Sequence, residues 1–376
     1  MITLQVDTAR SWRGGQNQVL LTARGLGARG HRVVLMAHPE GELRRRAEGE
    51  FEVLPLAPHG EADLKTAWRL ASALRGLAPD VIHAHDPHGV AVAAAALPIG
   101  RLPRRPVLVA ARRVDFHLKG NSFSRWKYRQ VDAFISSSEA IRRMLIEDGV
   151  PADRITTVHE GVDLDRIAAV PPVDLHQEHW FPPRAPVIGN VAALVPHKGQ
   201  KYLLDAAALV VREVPAARFV ILGEGELRHE LEQRIRHLRL EQHVVLAGFR
   251  TDVLARLKAF DVFVMSSVTE GLGTSLLDAM GAARPIVATR TGGIPEVVED
   301  GVTGLLVPPG DGRRLADAIL ALLADEGRRR RMGEAGLARA RQHFSAERMV
   351  SGTLAVYARM AGRTVEAGTA SPPRDA

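Results

Sequence analysis

The chain contains no cysteine. That single absence excludes disulfide frameworks, thiolate zinc sites and cysteine nucleophiles together. Long apolar runs are also missing, and none approaches the roughly 20 residues that a membrane-crossing helix needs. Met1–Arg10 has no basic flank ahead of an apolar core, so no secretory leader is expected and a cytoplasmic location is. Aromatic residues make up only 5% of the sequence. No series of stacking rings or recognition motif accompanies the positive charge, which argues against nucleic acid as a partner.

What is present is ordinary for a soluble globular protein: 46% hydrophobic and 25% charged residues, with 376 residues in all, a length that suggests two domains. The net charge is +7. Much of the excess falls in one region, Arg101, Arg104, Arg105, Arg112, Arg113, Lys119, Arg125, Lys127 and Arg129, against the single acid Asp115. Such a run reads as a solvated face, or as a dock for an anionic membrane surface or an acidic acceptor.

Short apolar runs alternate with helical periodicity along the whole chain. Strands are expected at 2–6, 33–37, 81–83, 107–111, 131–135 and 154–159, and again at 187–191, 218–222, 243–247, 262–265, 285–289 and 303–307. Buried parallel strands look like this. Prolines 171, 172, 182, 183 and 186 separate the two series and mark 167–186 as a linker. The expected division is a first domain over 1–166, a second over 187–343, and a closing helix over 344–360 that returns to the first. The Gly-, Thr-, Ser- and Pro-bearing tail, 361–376, is expected to be disordered.

Ser266–Leu306 is the most informative stretch. A strand ends at Ser266-Ser267, and a loop follows with Glu270, Gly271, Leu272 and Gly273. Thr274 is expected to cap a helix from Ser275 to Gly281. Glycines admit close backbone approach, and the open amides of a first helical turn favour an anion. Asp278 lies one turn into that helix. Pro285–Thr289 is the next strand, and Gly292-Gly293 opens a second short helix. Two neighbouring strands that each release a glycine loop and a helix N-terminus make a crevice for a diphosphate. Gly14-Gly15 after the first strand, Lys198-Gly199 after the strand at 187–191, and Gly223-x-Gly225 after the strand at 218–222 add loops of the same kind.

This stretch resembles the signature of retaining family-4 glycosyltransferases, the glycosyl transferases group 1 with the GT-B architecture. The matching pattern is Glu-Gly-x-Gly, a second acid, Ala-Met, Pro-Ile-Val-Ala and Gly-Gly-x-Pro-Glu. The resemblance implies an α/β fold of two doubly wound, Rossmann-like parallel-sheet domains facing across a cleft. It implies transfer of a sugar from a nucleoside-diphosphate sugar to a saccharide or lipid-linked acceptor, as in cell-surface polysaccharide or lipopolysaccharide synthesis. By resemblance Lys198 holds the diphosphate, with the amides around Leu272–Leu276. Glu270 orients the donor sugar and Asp278 accepts the ribose hydroxyls. The backbone at Gly248-Phe249 reads the base, the Gly14-Gly15 loop lies across the cleft near the sugar, and His85 faces the cleft. No metal or other cofactor is expected, and a peripheral place on the inner face of the plasma membrane fits the basic region. Three positions depart from the pattern. Asp278 replaces a glutamate and loses about 1.5 Å of reach. Ala193 stands where relatives often have an arginine, and Arg113 where many have a histidine.

His83, His85, Asp86 and His88 suggest a competing reading, a metal-dependent hydrolase, although Asp86 lies one place early for the familiar metal-site spacing. A GT-B epimerase is a second alternative. Asp163-x-Asp165 matches a metal motif of another glycosyltransferase architecture, but two acids at that spacing are common by chance.

Overall fold

The computed structural model describes residues 1–362. Two parallel sheets organise them. The first holds β1 (Ile2–Asp7), β2 (Arg32–Ala37), β3 (Glu52–Pro55), β4 (Val81–Ala84), β5 (Val107–Arg112), β6 (Ala133–Ser136) and β7 (Ile155–Thr157), in the order β3-β2-β1-β4-β5-β6-β7. The second holds β8 (Val187–Val191), β9 (Arg218–Leu222), β10 (Val244–Gly248), β11 (Val262–Met265), β12 (Ile286–Thr289) and β13 (Gly304–Val307), in the order β10-β9-β8-β11-β12-β13. The central strands are apolar on both faces because helices cover both sides; every residue of β4, β6, β11 and β12 is buried. This is the two-domain GT-B arrangement expected from the sequence.

Each sheet has one place where the strand order reverses: between β1 and β4 in the first, and between β8 and β11 in the second. Loops leaving two such neighbours diverge to opposite faces and open a crevice at the strands' carboxyl ends. The loop after β1 leads into the helix that starts at Gly14, and the loop after β4 carries His85. Those after β8 and β11 carry Lys198 and Glu270. Topology therefore brings together residues far apart in the chain.

Four local expectations change. Glu52–Pro55 forms the edge strand β3, for which the sequence offered no alternation of apolar and polar residues. The helix expected from about Asn17 begins at Gly14, where Gln16 Oε1 accepts a bond from the Arg13 amide at 3.1 Å. The proline-rich stretch 167–186 is not an extended tether. Asp163 and Asp174 cap short helices, Leu164–Ala169 and Leu175–His179, and Ile167, Leu175 and Phe181 are buried in the second domain's core. Thr274 is the first residue of its helix rather than the cap; Gly273, at φ 92°, occupies the cap position.

The helix Ala346–Met360 crosses back to the first domain, where Met349, Val350, Val356 and Tyr357 enter the core beside Val19, Leu35 and Val109. The tail expected to be disordered lies, from residue 363 on, outside the described residues.

Candidate active site

On the second domain's side, Lys198 ends a single helical turn, Pro196–Lys198, directly after the β8 loop. Gly199 follows at φ 65°, and a Cβ there would lie 2.2 Å from the Ser266 carbonyl oxygen. Only glycine lets the loop press onto the end of β11 in this way. The result is an ion pair: Lys198 Nζ lies 2.6 Å from Glu270 Oε2, which also accepts from Ser267 Oγ at 3.0 Å. Glu270 is 8% exposed.

Gly271 is held to glycine by a contact between domains, since a Cβ there would lie 2.1 Å from the Arg113 carbonyl oxygen. A Cβ on Gly14 would lie 2.2 Å from Thr274 Oγ1, so the glycine loop after β1 meets the start of the helix Thr274–Gly281. Gly15 has open space beside it, Leu272 is buried, and Ser275 is half-buried. Asp278 is also half-buried, and no hydrogen bond or ion pair to another described residue occupies its carboxylate. Burial pushes its pKa up to about 7, with Arg166 opposing. A carboxylate without an internal partner is ready to accept hydroxyl groups, and ionises more readily when they arrive.

Phe249 projects into solvent, 53% exposed, beyond the turn at Gly248. Gly223 and Gly225 lie deeper. Cβ atoms there would meet the Ala192 and Leu194 carbonyl oxygens at 1.9 and 2.3 Å, so these glycines seat the β9 loop against the β8 loop. Gly292 and Gly293 behave similarly: Gly293 N donates to Glu270 O at 3.1 Å, and the second short helix backs the Glu270 loop.

The first domain's side departs most from the sequence reading. His83 and His85 are 2% and 8% exposed, and neither ring is open to the cleft. His85 Nδ1 lies 2.8 Å from Arg113 NH1, and its Nε2 lies 2.9 Å from Gln5 Oε1. His83 Nδ1 is 2.7 Å from the Tyr357 hydroxyl. Asp86 caps the helix Pro87–Gly100 and accepts from Thr8 N at 2.7 Å, while His88 is exposed. The four residues of the metal-hydrolase reading thus do not converge: the two buried rings, 4.1 Å apart, turn to Arg113, Gln5 and Tyr357, Asp86 caps a helix and His88 faces solvent. Among the described residues no three His, Cys, Asp or Glu side chains converge as a metal site would require. Asp163, of the Asp-x-Asp pair, caps a helix instead.

Two acids that the sequence reading passed over take part. Glu160, 6% exposed, pairs with Arg113 Nε at 3.1 Å. Burial pushes its carboxyl up to about 7; Arg113 and Lys198 oppose this and Glu270 adds to it. Glu160 therefore senses the charges of both domains. Asp7, at the end of β1, accepts two bonds from Gln16 Nε2 at 3.2 and 3.0 Å. Burial, then Asp86, raise its pKa to about 6. The signal available for Glu160 was its place directly after a strand.

The domains also meet away from the carboxylates. Phe116 packs edge-on to the His197 ring at 5.7 Å. Glu296, the acid of Gly-Gly-x-Pro-Glu, crosses to the first domain. It accepts from the Glu139 and Ala140 amides at 2.8 and 2.9 Å and pairs with His159 Nε2 at 2.9 Å. It adds a carboxylate from the other domain to the N-terminus of the helix Glu139–Glu147.

Residues 174–339 match the family model for glycosyl transferases group 1, and residues 12–166 match the model for glycosyltransferase family 4. Between them they cover both walls of the cleft. The chain belongs to the GT-B glycosyltransferases. It is 32% identical over 254 residues to the putative glycosyltransferase EpsD of Bacillus subtilis, covering 64% of this chain and 66% of EpsD. It is 32% identical over 201 residues to the putative colanic acid biosynthesis glycosyltransferase WcaL of Escherichia coli, covering 51% of this chain and 48% of WcaL. The matches therefore span about half to two thirds of those relatives' lengths. The Anabaena protein HepE, crystallised with UDP and glucose, superposes with a TM-score of 0.81 over 94% of this chain and 99% of HepE, at 23% identity. A likeness at that identity speaks for the fold.

Proposed function

We propose that this GT-B glycosyltransferase moves a sugar, with retention of anomeric configuration, from a nucleoside-diphosphate sugar to a saccharide or lipid-linked acceptor of cell-surface polysaccharide or lipopolysaccharide synthesis. One observation carries the donor half of this reading: Lys198 and Glu270 meet at 2.6 Å at the crevice between β8 and β11, beside the start of the helix that bears the unpartnered Asp278. A cation and open helix amides suit a diphosphate, and two acceptor carboxylates suit hydroxyl groups on either side of it. UDP with glucose in HepE, and colanic acid in the name of WcaL, support the donor and acceptor classes.

The bond from the anomeric carbon to the diphosphate oxygen breaks while an acceptor hydroxyl attacks that carbon from the same face and passes its proton to the leaving diphosphate oxygen; negative charge develops on the diphosphate and positive charge on the sugar ring. Lys198 and the amides at the start of the helix Thr274–Gly281 stabilise the first where it develops. Glu270, released from Lys198 as the diphosphate takes that cation, accepts from the sugar's hydroxyls and opposes the ring's charge. Asp278 accepts from the ribose. This division of labour needs no metal.

The test is a thermal-shift panel of UDP-, GDP-, ADP- and CMP-sugars, followed by NMR of the product's anomeric proton. A sugar nucleotide at 100 times its dissociation constant adds about 2.7 kcal/mol of stability. No shift with any of the three diphosphate sugars, or a shift with the CMP-sugar alone, overturns the donor reading, and an inverted product overturns retention.

The same reading puts the protein at an anionic membrane surface, through a narrower face than the basic run suggested. Arg112, Arg113 and Lys127 are turned inward; Lys127 pairs with Glu61 at 2.7 Å. Arg101, Arg104, Arg105, Lys119, Arg125 and Arg129 remain exposed, together with Phe116 and Trp126. Sedimentation with anionic vesicles should be strong at low salt and fade as salt rises, and equal binding to neutral vesicles counts against this face.

A further inference from the structure

We propose that the small void behind Arg113 is a binding site for one water molecule, and that this water closes a hydrogen-bonded ring that passes through the C-terminal helix and whose two arms both run from Arg113 to Glu160. The ring's direction follows from Arg113, because a guanidinium only donates. Its NH1 donates to His85 Nδ1 at 2.8 Å, so that nitrogen carries no proton. Burial, then His83 and Arg113, hold the His85 pKa far below its ordinary value, so the ring is neutral and its proton sits on Nε2. Nε2–H donates to Gln5 Oε1 at 2.9 Å, which turns the Gln5 amide nitrogen toward the Tyr357 hydroxyl at 3.2 Å. Tyr357 is fully buried, and burial keeps its phenol protonated. It donates onward to His83 Nδ1 at 2.7 Å. Burial keeps His83 neutral too, so its proton sits on Nε2.

That last N–H has no partner among the described residues, and neither does Ser137 Oγ. Their side chains are 2% and 3% exposed, and both line one cavity of about 10 Å³ with Arg113 and Glu160. A buried donor left without a partner loses its hydration with nothing to replace it. A void of this size admits the centre of one water, and polar walls are what a buried water needs. The water accepts from His83 Nε2–H and has two protons to give, one to Glu160 and one to Ser137 Oγ. Arg113 Nε donates to Glu160 directly at 3.1 Å. Both arms of the ring thus end on the same cleft carboxyl. Tyr357, carried by the helix Ala346–Met360, acts as a positioning residue for Glu160 without touching substrate.

A crystal structure of the full chain tests the site: a water within hydrogen-bonding distance of His83 Nε2 and Ser137 Oγ is expected, and a dry cavity overturns it. Nitrogen-15 NMR of the histidine rings tests the direction. His83 and His85 should both appear as neutral Nε2–H tautomers at pH 7, and a proton on Nδ1 of either reverses the ring. Tyr357→Phe removes the donor to His83 while keeping the aromatic ring, and should shift the His83 signals to a mixture of tautomers. Only the kinetic arm rests on the proposed sugar transfer: Tyr357→Phe should lower kcat about tenfold, the worth of one buried hydrogen bond, with KM for the sugar nucleotide unchanged. Unchanged kcat, or a change confined to KM, overturns the positioning role. Ser137→Val, which fills the void, should reproduce the loss of kcat if Tyr357→Phe fails to fold. If no sugar nucleotide is turned over, the crystallographic and NMR arms still decide the water and the ring.

Discussion

The two walls of the cleft were built differently from the same kind of topology. On the second domain's wall, local motif and final geometry agree. Lys198-Gly199 and Glu270-Gly-x-Gly are each compact sequence signals, and the strand reversal between β8 and β11 brings them to 2.6 Å. On the first domain's wall the strongest local signal misled. Three histidines and an aspartate stand within six positions, yet they divide among a buried ring, a helix cap and an exposed side chain. A charged pair on that wall joins Arg113 to Glu160, an acid that no motif announces. A wall built of glycine loops at strand ends can be written in contiguous sequence. A wall whose side chains support one another is written in the packing.

The largest effect should come from the second domain's wall. Glu270→Gln keeps shape and hydrogen bonding but removes the charge opposite the sugar ring. Turnover should fall about a hundredfold or more, while affinity for the nucleotide changes only a few-fold. Steady-state kinetics beside calorimetry separate the two, and unchanged turnover would remove Glu270 from the chemistry.

Next is the division between the two ends of the nucleotide. Lys198→Ala should weaken a nucleoside diphosphate about ten- to hundredfold, corresponding to about 1.5–3 kcal/mol, and the bare nucleoside hardly at all. Asp278→Ala should weaken both by similar factors, and less when the ribose lacks its 2′- and 3′-hydroxyls. If Lys198→Ala weakens both ligands equally, the polarity assigned to the crevice is reversed.

A pH experiment sharpens the same contrast. Asp278 is pushed up to about 7 in the free protein, and ribose hydroxyls favour its ionised form. Binding of a sugar nucleotide, whose diphosphate diester does not titrate in this range, should release protons near pH 7 and tighten as pH rises through it. Calorimetry in buffers of different ionisation enthalpy measures the release, and Asp278→Asn should remove the share that comes from Asp278, leaving the exchange at Glu160. The free protein responds in the opposite sense. Asp278 and Glu160 keep protons that the unfolded chain has lost above its ordinary carboxyl range. Their contribution to stability is complete below that range and is lost as pH rises toward 7. Glu160→Gln should flatten that part of the melting-temperature profile.

The smallest effect tests how the walls are held together. Glu296→Ala removes a carboxylate that binds two amides and His159 of the other domain. It should cost about 1 kcal/mol, the usual worth of a helix cap, and lower Tm by a few degrees. An unchanged Tm would mean that the contact is not maintained in solution.

Much of the fold was legible because a strand covered on both faces must be apolar throughout. Val187–Val191, Arg218–Leu222 and Val262–Met265 fell where the apolar runs stood. The edge strand Glu52–Pro55 was not legible, since its exposed ends carry no such pattern. The 167–186 stretch misread for a related reason. Prolines mark where a helix cannot continue, but say nothing of whether Leu175 and Phe181 will find a core to enter.

Sequence alone determined the alternation of strand and helix, the glycine loops at strand ends, and the placing of Lys198, Glu270 and Asp278 in or beside those loops. Each depends on neighbours a few positions away, through backbone sterics and helix-end amides. Only the tertiary structure decided that Glu160 would face Arg113, that Glu296 would cap a helix of the other domain, and that Tyr357 would turn His83 inward. Those outcomes depend on which groups lose water together. A carboxyl or imidazole acquires its partners, its proton and its role from a burial that brings residues 47, 157 and 274 positions apart into contact.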